Sequence, residues 1–180
     1  MTKYQIEYNN NLKINKKYAT TYGELTKEGL ESLFENIDTT NKTFYDLGSG
    51  KGSVIINAIN NYPELKKGVG IEYVIDRHEE ALERKFSLSD DKKEKIEFIQ
   101  GDFTSDNINL SDADLIYISN LCLSGETNKD IAEKINKEVK SGTIVFSSRQ
   151  IPLKNVSKCY RTNVNQTWKL GSNIFVNKLL

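Results

Sequence analysis

The stretch FYDLGSGKGSV, Phe44 to Val54, decides the fold. A short apolar run ends in three glycines at alternate positions, Gly48, Gly50 and Gly52, and a second apolar segment follows at once. An apolar run closed by clustered glycines and then an apolar pattern of helical period reads as strand, tight turn and helix. Three bare backbone positions in that turn also imply close approach of a ligand or of another part of the chain.

Outward from this unit the pattern keeps alternating. KTFYDL (42–47), GVGIE (68–72), KIEFIQGD (95–102), ADLIYISN (113–120) and GTIVFSS (142–148) read as strands. SVIINAINNY (53–62), DRHEEALERKFSL (76–88) and Thr127 to Val139 read as helices between them. Alternation of this kind predicts a parallel α/β sheet with right-handed crossovers. KCYRTNVN (158–165) and NIFVNKLL (173–180), with Gly171 in the turn region, predict a closing antiparallel hairpin. Seven strands with helices on both faces and a terminal hairpin is the Rossmann-like layout of class I methyltransferases, an analogy of fold that still needs a site. Residues 1–40 read as an N-terminal extension, a polar segment followed by a helix from about Thr26 to Asn36, and residues 41–180 as the domain proper.

Composition narrows the class. A chain of 180 residues with zero formal net charge fits one globular domain with a full core. No apolar run approaches the roughly 20 residues of a membrane span, and MTKYQIEYNNNLKINKKY has no signal-peptide core, so an intracellular protein is expected, in nucleus or cytoplasm. Cys122 and Cys159 have no metal-ligand spacing. The last acidic residue is Glu138, and the seven Lys and Arg residues from Lys140 to Lys178 follow without offset. That third of the chain is either a solvated face or a basic side that meets nucleic acid or an acidic protein, with Lys154, Lys158 and Arg161 as the contact candidates.

The glycine turn excludes two ligands. A P-loop requires Gly-Lys-Ser/Thr, and here Gly52 follows Lys51. The dinucleotide fingerprint G-x-G-x-x-G is also missing, because the spacing is G-x-G-x-G behind Asp46. D-x-G-x-G-x-G is typical of sites for S-adenosyl-L-methionine, which has no pyrophosphate to cradle. Asp46 is placed to support the loop and the cationic part of that cofactor. Glu72, ending the second strand, would accept from both ribose hydroxyls. Asp102 and Phe103, after the third, would take the adenine amino group and cover its ring. The plain alternative is that Glu72 and Asp102 are polar strand ends. His78 reads as a solvated helix residue rather than a base, and no metal is expected.

Acceptor signatures are fewer. The segment ISNLCLSGE (118–126) lacks the Pro-Pro pair of exocyclic-amine methyltransferases, and Glu126 is alone where arginine methyltransferases use two glutamates. Upstream lies TTYGEL (20–25). Y-G-E, the helical spacer, YDLGSGKG, GVGIE, GDF and the Asn120 segment together resemble the disruptor-of-telomeric-silencing family, the non-SET histone-lysine methyltransferases, over about Tyr22 to Leu180. The resemblance implies that Tyr22, Gly23 and Glu24 form a loop closing over the cofactor and shaping a lysine channel. It also implies that Asn120 stands near the transferring methyl, where it would hydrogen-bond around the amine, and that Trp168 and Phe175 line the channel. The chain departs from the family's Asn-Asn-Phe-x-Phe with Ser119-Asn120-Leu121-Cys122-Leu123, and Phe175 replaces a tyrosine.

The expected activity is therefore transfer of a methyl group from S-adenosyl-L-methionine to a lysine of a histone or another basic protein, with a monomer as the default state. The alternatives are an RNA or small-molecule methyltransferase on the same fold, and a non-catalytic cofactor-binding module. Trp168 and Phe175 have the competing reading of closing the sheet's core, and Tyr22 that of a surface aromatic.

Overall fold

The computed structural model describes residues 23–180. Five consecutive buried residues, TFYDL, make β1 (Thr43–Leu47), the signature of a strand covered on both faces. The other strands are β2 (Lys67–Glu72), β3 (Ile96–Gln100), β4 (Leu115–Ile118), β5 (Ile144–Ser147), β6 (Val156–Gln166) and β7 (Lys169–Leu179). They form one sheet in the order β3-β2-β1-β4-β5-β7-β6. β1 to β5 run parallel and β7 enters antiparallel between β5 and β6. This is the doubly covered sheet with closing hairpin that the alternating pattern predicts.

Helices cover the two faces. α1 (Lys27–Phe34) and α2 (Ser53–Asn61) pack Leu30, Leu33, Phe34, Val54, Ile55 and Ile59 against one of them. α3 (Ile75–Phe86) adds Ala81 to that side. α5 (Gly125–Glu138) closes the other face with Ile131 and Ile135. Two of the helix starts carry a side-chain cap. The Thr26 hydroxyl accepts the Gly29 N–H to cap α1, and the Ser124 hydroxyl accepts the Thr127 N–H to cap α5. The apolar residues of α1 share one core with those of β1, β4 and β7, so the segment after residue 23 is packed into the sheet's own interior.

Four sequence expectations change. A short charged helix, α4 (Asp90–Lys95), precedes β3, in a stretch to which periodicity assigned no element. Gly171 is not at the hairpin turn; it lies inside β7 with φ +62°, close to a register shift between Val164 and Gln166, and the reversal is at Thr167–Trp168. His78 is buried, not solvated. Its Nδ1 has no hydrogen-bond partner, and burial lowers its pKa. Finally, β6 and β7 are longer than predicted. β5 ends at Ser147, opposite Phe175. The six residues of β7 before Phe175 therefore run past the carboxyl edge of the parallel strands, on the order of 20 Å of extended chain.

Candidate functional site

The glycine turn sits at that carboxyl edge, where parallel sheets bind ligands. Gly48, Gly50 and Gly52 all have positive φ, at 95°, 54° and 79°. At Gly52 a side chain is excluded twice. The conformation is left-handed, and a Cβ would lie 2.4 Å from the Phe98 ring.

The N–H groups of Gly48, Ser49, Gly50 and Gly52 are spent inside the protein. Gly48 and Ser49 donate to the Ile71 carbonyl, Gly52 donates to Ser49, and Gly50 donates to Glu72 Oε2 at 2.8 Å. A phosphate cradle needs such groups turned outward. This turn is held by an internal carboxylate instead, so the exclusion of nucleotide phosphates drawn from spacing has a structural cause.

Glu72 thus does something that its position alone did not reveal. It is 3% exposed, and Oε1 accepts the Val74 N–H at 2.8 Å while Oε2 takes Gly50. It joins the glycine turn to the start of α3, and each oxygen keeps one further acceptor direction for a hydroxyl. Burial raises its pKa against the lowering effect of those hydrogen bonds.

Asp46 is 3% exposed. Its pKa is raised well above the ordinary carboxylate value, first by burial and then by the charges of Glu24 and Glu72. The charges of Glu24 and Glu72 therefore bear on Asp46. Near it stand hydroxyls without partners. Asp46 lies opposite Tyr117 on β4 and Gly70 on β2, and directly opposed side chains share a face. The Ser49 hydroxyl lies over Gly70, 2.7 Å from where a Cβ would stand. Ser148 follows Phe146, the partner of Tyr117, by two residues and so faces the same way. The oxygens of Ser49, Tyr117 and Ser148 are all buried with no hydrogen bond, although Ser119 and Ser148 stand near the Tyr117 hydroxyl. Such groups are rarely left orphaned, and they await a polar ligand or water. Nothing in the sequence singled them out, since each is an ordinary residue made notable by its row in the sheet.

Asp102 is half-buried and its Oδ1 accepts the N–H and hydroxyl of Thr104, an Asx turn that shapes the loop after β3. Phe103 is packed in the core beside Ile108 and Leu110 at 3% exposure, with its ring edge 4.0 Å from the position of a Gly48 Cβ. Both lie beside the glycine turn, as expected, but Phe103 is a wall of the site rather than an open lid.

Asn120 requires a correction. It is fully buried, with Nδ2 donating to Asn128 Oδ1 (2.6 Å) and the Arg149 carbonyl (3.0 Å), and Oδ1 accepting the Arg149 N–H (2.7 Å). Both amide hydrogens are committed, so the side chain cannot donate to an incoming group. It ties the end of β4 to α5 and to the segment after β5.

The Y-G-E segment meets the hairpin. Tyr22 lies outside the described residues. Glu24 donates its N–H to the Thr167 hydroxyl and accepts the Thr167 N–H, Leu25 bridges to Gln166, and the Thr26 N–H donates to the Asn165 carbonyl. Gly23 lies against Trp168, whose ring would be 2.0 Å from a Cβ at that position. The structure thus joins Gly23, Glu24 and Trp168 in one cap beyond the sheet edge. It does not join Trp168 to Phe175. Phe175 is six β7 residues further on, level with Ser147, and the Arg161 guanidinium lies 4.7 Å from its ring centroid. The single channel expected from Trp168 and Phe175 is divided between the hairpin tip and its base.

The basic trio is divided as well. Lys158 and Arg161 project to opposite faces of β6, an odd spacing that the sequence already contained. Lys158 stands directly opposite Lys178 near the amino edge of the sheet, away from the glycine turn. Lys154 donates its N–H to Asn136 of α5. Only Arg161 reaches the level of Phe175. Among the described residues no metal-binding cluster of His, Cys, Asp and Glu occurs, both cysteines are free, and no helix is long and apolar enough to cross a membrane.

Comparison with known proteins places this geometry in a group. The family described as "Histone methylation protein DOT1" matches residues 4–178. A protein-lysine N-methyltransferase of Saccharolobus islandicus (strain REY15A) is 31% identical over 127 residues, covering 68% of this chain and 74% of that protein. The H3 lysine-79 specific histone-lysine N-methyltransferase of Drosophila melanogaster is 24% identical over 137 residues, 71% of this chain but 7% of that protein. Among solved structures, the putative methyltransferase yhhF of Escherichia coli superposes with a TM-score of 0.67 at 10% identity over 86% of both chains. TrmN from Thermus thermophilus gives 0.66 at 15% identity, over 86% of this chain and 48% of that one. At these identities the two structures bear on the fold alone, which is that of class I methyltransferases.

Proposed function

Because this chain belongs to the DOT1 histone-methylation family, we propose that it moves the methyl group of S-adenosyl-L-methionine to the side-chain amine of a lysine in another protein. The observation that carries the reading is the acidic setting of the glycine turn. The charges of Glu24 and Glu72 bear on buried Asp46 there, and the N–H groups of Gly48, Ser49, Gly50 and Gly52 are already used. Such a site suits a cation with polar substituents and rejects a phosphate. The unpartnered Ser49, Tyr117 and Ser148 hydroxyls supply the hydrogen bonds that an amino-acid tail would require.

The bound cofactor supplies an electrophilic methyl, so that an N–C bond forms as the C–S bond breaks and the sulfonium departs as a neutral thioether. The residues of this chain do the rest. Asp46 holds positive charge in its buried position, and Glu72 fixes the turn while offering its remaining acceptor directions to the ribose. Asp102 and Phe103 bound the adenine end. The cap of Gly23, Glu24 and Trp168 excludes water from above. Asn120 is a positioning residue that sets the backbone at Arg149. A free lysine has a pKa near 10.4, and an apolar entry beside Trp168 disfavours its ammonium form, so the proton is shed to water before the amine enters.

Histone is the acceptor that the family suggests, and nucleic-acid contact through the basic C-terminal third remains part of this proposal. The test is radiolabelled methyl transfer to nucleosomes, free histones and total RNA in parallel. Protein labelling that disappears in Trp168→Ala, with cofactor affinity kept, supports the reading. Labelling of RNA alone overturns the acceptor while leaving the cofactor site in place.

A further inference from the structure

Of Lys154, Lys158 and Arg161, only Arg161 stands at the acceptor side, and its setting is specific. Arg161 on β6, Phe175 on β7 and Ser147 on β5 stand on one rung of the sheet at its carboxyl edge. Asn120 closes the same edge two strands from β7, so Arg161 lies about three strand spacings, roughly 14 Å, from the end of β4. The guanidinium is exposed and stacks 4.7 Å from the Phe175 centroid, a cation–π contact that fixes its direction.

Among the described residues its charge has no acidic partner. Nine Lys and Arg residues between Lys27 and Lys140 make ion pairs with acidic side chains. Among the described residues no acidic side chain forms an ion pair with Arg149, Arg161 or Lys169, and no Asp or Glu occurs in the chain after Glu138. A lysine arriving in a strongly basic tail meets repulsion from this rim. A lysine with a carboxylate beside it meets a preorganised fork that accepts two oxygens at once.

We propose that Arg161, held over Phe175, reads an acidic side chain next to the target lysine, so that the preferred acceptor is a lysine in an acidic local sequence. The assignment rests on the methyltransferase reading above and adds the class of acceptor to it. It is also narrower than a general basic patch, because Lys154 and Lys158 do not share the surface.

The experiment uses the whole chain and three short peptides that carry one lysine flanked by Asp, by Ala or by Arg. Binding is read by fluorescence anisotropy in the presence of cofactor, and methyl transfer is read separately. The expected order is Asp over Ala over Arg, with about tenfold between the extremes at low salt, shrinking as salt rises. Arg161→Glu, an exposed substitution, inverts the order, and Arg161→Lys keeps its sign with a smaller ratio because the fork is lost. Equal binding of the three peptides, no binding of any, or an unchanged order in Arg161→Glu overturns the proposal. So does tighter binding of a single-stranded oligonucleotide than of the Asp peptide, if Arg161→Glu abolishes it. Selective binding of the Asp peptide without labelling keeps the Arg161 assignment and refutes the methyltransferase reading.

Discussion

The glycine turn and the β6–β7 hairpin stand at the same edge of one sheet and are built in opposite ways. The turn is made of backbone. Its N–H groups bond inward, Glu72 joins it to α3, and Phe98 fills the space beside Gly52. The hairpin is made of exposed side chains. Trp168 is 41% and Leu170 78% exposed, and Arg161 rests on Phe175 with no acidic partner among the described residues. A cofactor that never varies can be met by a rigid, buried frame, whereas a macromolecular acceptor has to be met by side chains that reach out. The difference sets where substitutions act. At the turn they should change folding and cofactor binding together, and at the hairpin they should change transfer alone.

Gly52→Val gives the strongest test of that division. A β-branched residue at φ 79° and 2.4 Å from Phe98 combines backbone strain with overpacking. The expected cost is about 3–5 kcal/mol, seen as a fall in melting temperature on the order of 10 °C and loss of cofactor binding in calorimetry. Near-normal melting would mean that the turn is not the rigid half of the comparison.

Asp46→Asn sharpens the contrast by separating stability from binding. The raised pKa values of Asp46 and Glu72 mean that burial penalises their ionised forms. Their stabilising contribution to the ligand-free fold is complete below the ordinary carboxylate range and is lost as pH rises through the raised folded values. A neutral amide at Asp46 should therefore raise the melting temperature of the free protein at pH 7 by about 2–4 °C. It should also weaken cofactor binding on the order of tenfold. In the parent protein, cofactor affinity should fall as pH drops through the same interval, because the cation needs the ionised form. Destabilisation by Asp46→Asn would contradict the sign of this argument.

Gly23→Ala moves the comparison to the cap. A methyl group there collides with Trp168 at 2.0 Å and should lower transfer about tenfold while melting shifts by only a degree or two. Adding Trp168→Ala removes the collision, so the pair should be clearly non-additive in a double-mutant cycle. Additivity would separate Gly23 from Trp168 in solution. The smallest effect belongs to Lys158→Glu. Far from the turn and already facing Lys178, it should leave kcat/KM within about twofold, a value consistent with screened surface charge. A large rise in KM would restore the undivided basic surface.

The sequence made the parallel sheet legible because β1, β2, β4 and β5 are short apolar runs, each followed by its own turn or helix. Asp46 and the three glycines were legible because their spacing is a local pattern. What stayed hidden depends on contacts distant in sequence. Glu72 looked like a ribose ligand, and its bond to Gly50 required knowing that β2 lies beside β1. Asn120 kept its place but not its freedom, because Asn128 and Arg149 approach from two other elements. Tyr117 and Ser148 acquire meaning only from the row they share with Asp46. The split of Lys158 from Arg161 was readable from odd spacing in a strand, and a count of charges obscured it.

The junction of Gly23–Thr26 with Asn165–Trp168 has a consequence for biogenesis. Its hydrogen bonds join residues 139 and 143 positions apart. During synthesis the glycine turn and the strands around it emerge long before the hairpin, so a nascent chain holds an uncapped cofactor pocket until β6 and β7 leave the ribosome. Closure of such distant segments is the slow part of acquiring a fold. The chain therefore becomes competent to exclude water from its reaction only after β6 and β7 are made, long after its glycine turn.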